Sequence, residues 1–323
     1  MGIFAAMMLA AAVMSAPAAA GPVEAELEAP GPVGPLRGTM LAPSAATGPA
    51  MLILPGSGPT DRDGNNARGV KGSIYKRLAE GLAARGIATI RIDKRGMFGS
   101  AGAVADANAV TIADYAADVH TWTDSIRQQT GASCVWLLGH SEGGLVALVA
   151  AQHRSDVCGL ILVSTAGRPL GQALREQLVS NPAMASLLEQ AMTALATLES
   201  GKHVATGLMD PALLPLFKPE VQDFVISVLS YDPAALLTGY AKPVLILQGQ
   251  RDIQISERDA RLLKKAAPKA TLVLLANTNH VLKTVTTDDR AANAATYADP
   301  DQPLASKVVE TIAAFVNPQK NGR

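Results

Sequence analysis

Aromatic side chains are scarce in this chain of 323 residues: Phe, Trp and Tyr together make up 4%. Packing has to come from alanine and aliphatic residues, and a hydrophobic share of 48% supplies enough of them for a sizeable core. Charge is also sparse. Charged residues amount to 17% and cancel to zero net charge. No basic stripe points to nucleic acid, and no polybasic helix points to a membrane surface. Cysteine is limited to Cys134 and Cys158, each just ahead of an apolar strand-like run, VWLLG and GLILVS. On neighbouring parallel strands both would sit at the N-terminal end of the sheet. Neither is then placed to act as a nucleophile, while a disulfide and a pair of buried thiols both fit.

The N-terminus has a layout of its own. MGIFAAMMLAAAVMSAPAAA is an alanine-rich apolar run too short to span a bilayer, so no stable membrane anchor is expected. It ends in an A-x-A site at Ala18–Ala20. This is the plan of a secretory signal peptide over residues 1–20, although its start carries no Lys or Arg. Export to the periplasm or medium is the expectation, and an oxidising compartment would permit the disulfide. Residues 21–35, rich in Pro and Gly, read as a flexible lead-in.

Beyond the lead-in, strand-like and helix-like stretches alternate. Strands are expected at Leu36–Leu41, Ala50–Leu54, Ile87–Ile92, Val135–Leu138, Leu160–Ser164, Val244–Gln248 and Thr271–Ala276. Helices are expected at Ser73–Arg85, Ile112–Gln129, Glu142 to about His153, Glu257–Ala266 and Lys307–Val316. Repeated β-α-β units argue for an α/β fold with a mainly parallel sheet covered on both faces. Residues 168–242 break this rhythm with helix-like segments separated by prolines and no obvious strand. Because the sheet resumes directly afterwards, the segment reads as a helical cap inserted into a core of residues 36–167 and 243–323.

The motif that carries chemistry is LLGHSEGGLV, with Ser141 between a strand and a helix. Gly139, Gly143 and Gly144 permit a tight turn and close helix–strand approach, the setting of a nucleophile elbow. A serine hydroxyl needs a base. Of the five histidines, His280 in NTNHVLK follows the last strand, at the sheet end where ligands bind. His120 and His153 read as helical, His203 falls in the cap, and His140 abuts the serine. The acid is expected after the preceding strand, and PVLILQGQRD places Asp252 there to orient the imidazole. Oxyanion donors are expected from the backbone N–H of Glu142 and, in LPGSGPTDRDGN, from that of Ser57, flanked by Gly56 and Gly58.

GHSEGG, the RD after a strand and the late NH together resemble the α/β-hydrolase superfamily. LPGSGPTDRDGN is similar to the oxyanion loop of bacterial esterases, often grouped with dipeptidyl-aminopeptidase-like hydrolases. DKRGMFGS resembles a D-x-R-G-x-G-x-S element after the fourth strand in many members, departing at Phe98 where glycine is usual. The resemblance runs from about Leu36 to Val316 and implies a sheet of about eight strands and no cofactor. No metal site is expected. The expected activity is a serine-dependent carboxylic ester hydrolase working through an acyl-enzyme on small-molecule esters of small to medium acyl groups. A thioesterase or an aminopeptidase is possible on the same triad, the latter using Glu142 or Asp61 to hold an ammonium. A non-catalytic binding protein on the same fold is the remaining alternative.

Overall fold

A computed structural model describes residues 21–44, 48–180 and 182–317. The expected signal peptide, residues 1–20, lies outside the described residues. The chain opens with strands β1 (Val23–Ala29), β2 (Leu36–Ala42) and β3 (Ala50–Leu54), then helix α1 (Ile74–Ala83) and β4 (Ala88–Ile92). Helix α2 (Ile112–Thr130), β5 (Val135–His140), α3 (Glu142–Ala150) and β6 (Val157–Val163) follow. A helical stretch comes next: α4 (Leu170–Ser180), α5 (Leu188–Glu199), α6 (Leu214–Phe217), α7 (Pro219–Leu229) and α8 (Pro233–Leu237). The sheet resumes with β7 (Val244–Gly249), α9 (Glu257–Ala266) and β8 (Thr271–Leu275), and the described chain closes with α10 (Arg290–Ala295) and α11 (Lys307–Val316).

These strands form one eight-stranded sheet in the order β1-β2-β4-β3-β5-β6-β7-β8. β2 pairs antiparallel with both of its neighbours, and every pairing from β4 to β8 is parallel. Alternate residues of each central strand feed opposite layers. Leu52 and Leu54 of β3 join Ile112, Val119 and Trp122 of α2, while Met51 and Ile53 face Leu78 of α1 and Ile312 of α11. Burial on both faces is why the central strands read as unbroken apolar runs.

The expected flexible lead-in at residues 21–35 is corrected here. Val23–Ala29 is the edge strand β1, paired with β2 along its length. VEAELEA alternates apolar with acidic residues, and its glutamates find cations on neighbouring elements: Glu24 meets Arg91, Glu26 meets Arg62 and Glu28 meets Arg37. These charges hold down an edge whose flanking prolines mask it in the sequence. A disulfide joins Cys134 and Cys158, with Cα atoms 5.1 Å apart. Cys158 lies within β6, where the register with β5 slips between Val135 and Trp136, and not ahead of the strand as expected.

Candidate active site

Ser141 sits between β5 and α3 with φ 56° and ψ −120°, a backbone state costly for a residue with a Cβ. The neighbouring glycines make the turn possible. A Cβ on Gly139 would lie 2.2 Å from the Gly143 carbonyl oxygen, and one on Gly143 would lie 2.3 Å from that of Leu54. The elbow therefore presses against the end of β3, and Gly56 lies beside Ser141. Ser57 and Glu142 line the same cavity as Ser141, and neither backbone N–H has an acceptor among the described residues. Both are free to donate to a ligand oxygen. Gly58, at φ 72°, turns the chain out of this loop.

Asp252 and His280, 28 residues apart in sequence, meet at the ends of β7 and β8. The His280 Nδ1 lies 2.8 Å from Asp252 Oδ2, and the Asp252 side chain is fully buried. Asp252 also accepts from Gln248 Nε2 at 3.2 Å and from the backbone N–H groups of Gln254 and Ile255 at 2.8 and 2.9 Å. Burial alone would raise this carboxyl. The facing His280 and the donated hydrogen bonds outweigh it and hold the pKa below the usual value. Asp252 is thus an anion that fixes the Nδ1–H tautomer and leaves Nε2 with its lone pair. Ser141 and His280 line one cavity without a hydrogen bond between them among the described residues.

Several supporting residues escaped the sequence reading. His140, the last residue of β5, is buried, with Nε2 2.9 Å from the His280 carbonyl oxygen and Nδ1 2.9 Å from the Tyr75 hydroxyl. A carbonyl can only accept, so Nε2 carries the proton and Nδ1 accepts from Tyr75. The Tyr75 oxygen in turn accepts from the Gly56 N–H at 3.0 Å. One buried chain of hydrogen bonds therefore links the Gly56 loop to the backbone of His280. Desolvation, with the nearby His280 adding to it, drops the His140 pKa to about 3. It stays neutral with its ring 4.8 Å from the His280 ring.

The DKR of DKRGMFGS assigns each residue a different neighbour. Asp93 accepts from the Arg62 backbone and guanidinium, Lys94 donates to the Gly56 carbonyl at 2.8 Å and lies 3.3 Å from Glu142, and Arg95 grips Asp118 of α2. Lys94 thus ties the loop after β3 to the start of α3, the two segments that carry the candidate oxyanion donors. Phe98 adopts φ 45°, left-handed backbone where glycine would be unstrained, and its side chain is about half exposed. The remaining histidines lie elsewhere: His120 bonds the Ala150 carbonyl, His153 is in the turn past α3, and His203 pairs with Asp223 in the helical segment. Among the described residues no cluster of His, Cys, Asp or Glu is placed to hold a metal ion, and no helix is long and apolar enough to cross a membrane.

Comparison with known proteins agrees with this architecture. Residues 68–212 match the family described as serine aminopeptidase, S33. Esterase EstD of Thermotoga maritima is 26% identical over 243 residues, which cover 72% of this chain and 54% of EstD, so the chain spans about half the length of that relative. Est1E from Butyrivibrio proteoclasticus superposes with a TM-score of 0.57 at 17% identity, covering 91% of this chain and 98% of its own. The chain has the α/β-hydrolase fold. A second structure, the α/β hydrolase GrgF from Penicillium sp. sh18, shares this fold with a TM-score of 0.55 at 21% identity, over 80% of this chain and 91% of its own. In this fold the cavity beside Ser141 is walled partly by Leu170 of α4, Val228 of α7 and Pro233 of α8, so residues of the helical segment face the elbow.

Proposed function

We propose that this chain is a member of the α/β-hydrolase superfamily that cleaves carboxylic esters by a serine mechanism. The observation that carries the reading is the buried, ionised Asp252 bonded to His280 Nδ1 beside an elbow serine in the same cavity. Ser141 Oγ attacks the acyl carbon while its proton passes to His280 Nε2. The negative charge that develops on the carbonyl oxygen is met by the N–H groups of Ser57 and Glu142. His280 then returns the proton to the leaving alcohol oxygen as the C–O bond breaks, leaving an acyl-Ser141. Water, deprotonated by the same imidazole, attacks that acyl group; the acyl C–Oγ bond breaks, His280 returns the proton to Ser141 Oγ, and the acid departs. The name of EstD, an esterase, supports this choice of substrate.

An aminopeptidase is the second reading, favoured by the description of the family that matches residues 68–212. It needs a carboxylate free to hold the substrate ammonium. Glu142 is taken up by Lys94, and Asp61 accepts from the backbone N–H groups of Asp63 and Asn65. Esters need no such group, and we retain them as the substrate. The leader and the Cys134–Cys158 disulfide further support export to an oxidising compartment as part of the proposal. The test compares p-nitrophenyl butyrate, a butyryl thioester of coenzyme A and an aminoacyl p-nitroanilide. The ester is expected to turn over fastest, with Ser141→Ala losing about a thousandfold or more. Turnover indifferent to Ser141→Ala would refute the reading.

A further inference from the structure

Two cavities meet at Ser141, and Ser57 and Gln254 also line both. The first, about 290 Å³, reaches under the helical segment and is walled by Leu145, Leu170, Val228, Tyr231 and Ile255, but not by His280. The second, about 110 Å³, is bounded by His280, Thr60, Asn66 and Tyr297.

We infer that these cavities divide an ester between them: an aliphatic acyl chain enters the larger one, and a short alcohol bearing a hydroxyl of its own enters the smaller. The inference rests on the ester-hydrolase reading and adds the substrate class to it. Proton return fixes the sides. A general acid must come within about 3 Å of the oxygen it protonates, so the alcohol leaves on the side lined by His280. The acyl carbon stays bonded to Ser141 Oγ, and its chain takes the remaining space.

The linings match this division. Arg168 and Glu142 are the charged residues on the larger cavity, and both are paired, Arg168 with Glu176 and Asp259 and Glu142 with Lys94, while Leu145, Leu170, Val228, Ile253 and Ile255 give the wall its apolar surface. In the smaller cavity Asn66 Oδ1 accepts from the backbone N–H groups of Arg68 and Val70 at 3.0 and 3.3 Å. That fixes the amide, and its Nδ2 has no partner among the described residues. A fixed donor without an acceptor favours a ligand that brings an oxygen to it.

The experiment uses the purified full chain and two ester series. Ethyl acetate, butyrate and octanoate vary the acyl group; ethyl, 2-hydroxyethyl and benzyl butyrate vary the alcohol. The wild type is expected to favour 2-hydroxyethyl over ethyl butyrate by about fivefold in kcat/KM, the effect of one hydrogen bond. Val228→Trp lowers the octanoate-to-acetate ratio by about tenfold or more, and Val228→Ala raises it, with the alcohol ratio held. Asn66→Ala brings the alcohol ratio close to one and holds the acyl ratio. The division is overturned if Val228 variants move the alcohol ratio and Asn66→Ala the acyl ratio, or if no variant moves either. Fluorophosphonate labelling of Ser141 separates the two levels. Labelling with unmoved ratios rejects the division alone, whereas no labelling and no turnover rejects the ester-hydrolase reading with it.

Discussion

The carboxyl edge of the sheet and the helical segment over it are held together on opposite terms. At the sheet edge, polar side chains are buried and paired. Asp252 receives donors from His280, Gln248, Gln254 and Ile255, and Gly56, Tyr75 and His140 form a chain of hydrogen bonds that ends on the His280 carbonyl. Residues 170–237 instead gather a small apolar cluster of their own around Leu195, Leu198, Leu213 and Phe217, and they leave Leu208 97% exposed. Buried hydrogen bonds are directional, so the edge has little freedom to rearrange without leaving a group unpaired. Apolar packing tolerates exchange among residues of similar volume. The difference teaches a division of labour: the edge holds the groups of the proposed reaction in place, and the helical segment walls the cavity proposed for the acyl group.

The largest expected effect breaks the edge at its anion. Asp252→Asn preserves shape but no longer fixes the His280 tautomer, and kcat for ester hydrolysis should fall by about a thousandfold to ten-thousandfold. A variant within tenfold of wild type, measured by steady-state kinetics, would refute Asp252 as the orienting acid. Next comes the chain beneath the site. Tyr75→Phe leaves the Gly56 N–H and His140 Nδ1 without partners, at a cost of about 1–3 kcal/mol in urea denaturation. Leu208→Gln, on the exposed face of the helical segment, should stay within about 0.5 kcal/mol of wild type. Equal effects from the two substitutions would erase the contrast between the regions.

A further contrast concerns pH. His140 has a folded pKa of about 3, below an unfolded value near 6.5, so the unfolded chain binds more protons between these limits. Its contribution to stability is complete above the unfolded value and is lost as pH falls toward the folded one, by about 1.4 kcal/mol per pH unit. Asp252, whose pKa is lowered, adds its own loss only below the ordinary carboxylate range. Denaturation profiles between pH 6 and 4 should therefore be flatter for His140→Asn than for wild type. Parallel profiles would contradict a buried neutral imidazole at this position.

The residues that chain order and strand ends pick out are the ones whose signal is local. Ser141 stands between glycines that only close approach explains, and Asp252 and His280 each follow an apolar strand. The helical character of residues 170–237 was legible in the same way, from period and proline placement. β1 was obscured because proline and glycine around VEAELEA outweighed its two-residue alternation. Tyr75, His140 and Lys94 were invisible for a different reason. Their roles arise from contacts across 19 to 140 residues, as between Tyr75 and Gly56 or His140 and His280, and no local pattern encodes such pairings. His140 in particular reads as a neighbour of the serine, and only its two ring hydrogen bonds show which elements it joins.

The central claim is that Ser141 is made nucleophilic by His280 and Asp252. Intact-mass analysis and peptide mapping after brief treatment with a fluorophosphonate test it most directly. The account predicts one adduct per chain on the peptide containing Ser141, absent from Ser141→Ala and slowed by about a thousandfold in His280→Ala. An adduct on another residue, or a folded wild-type chain that takes up none, would contradict it.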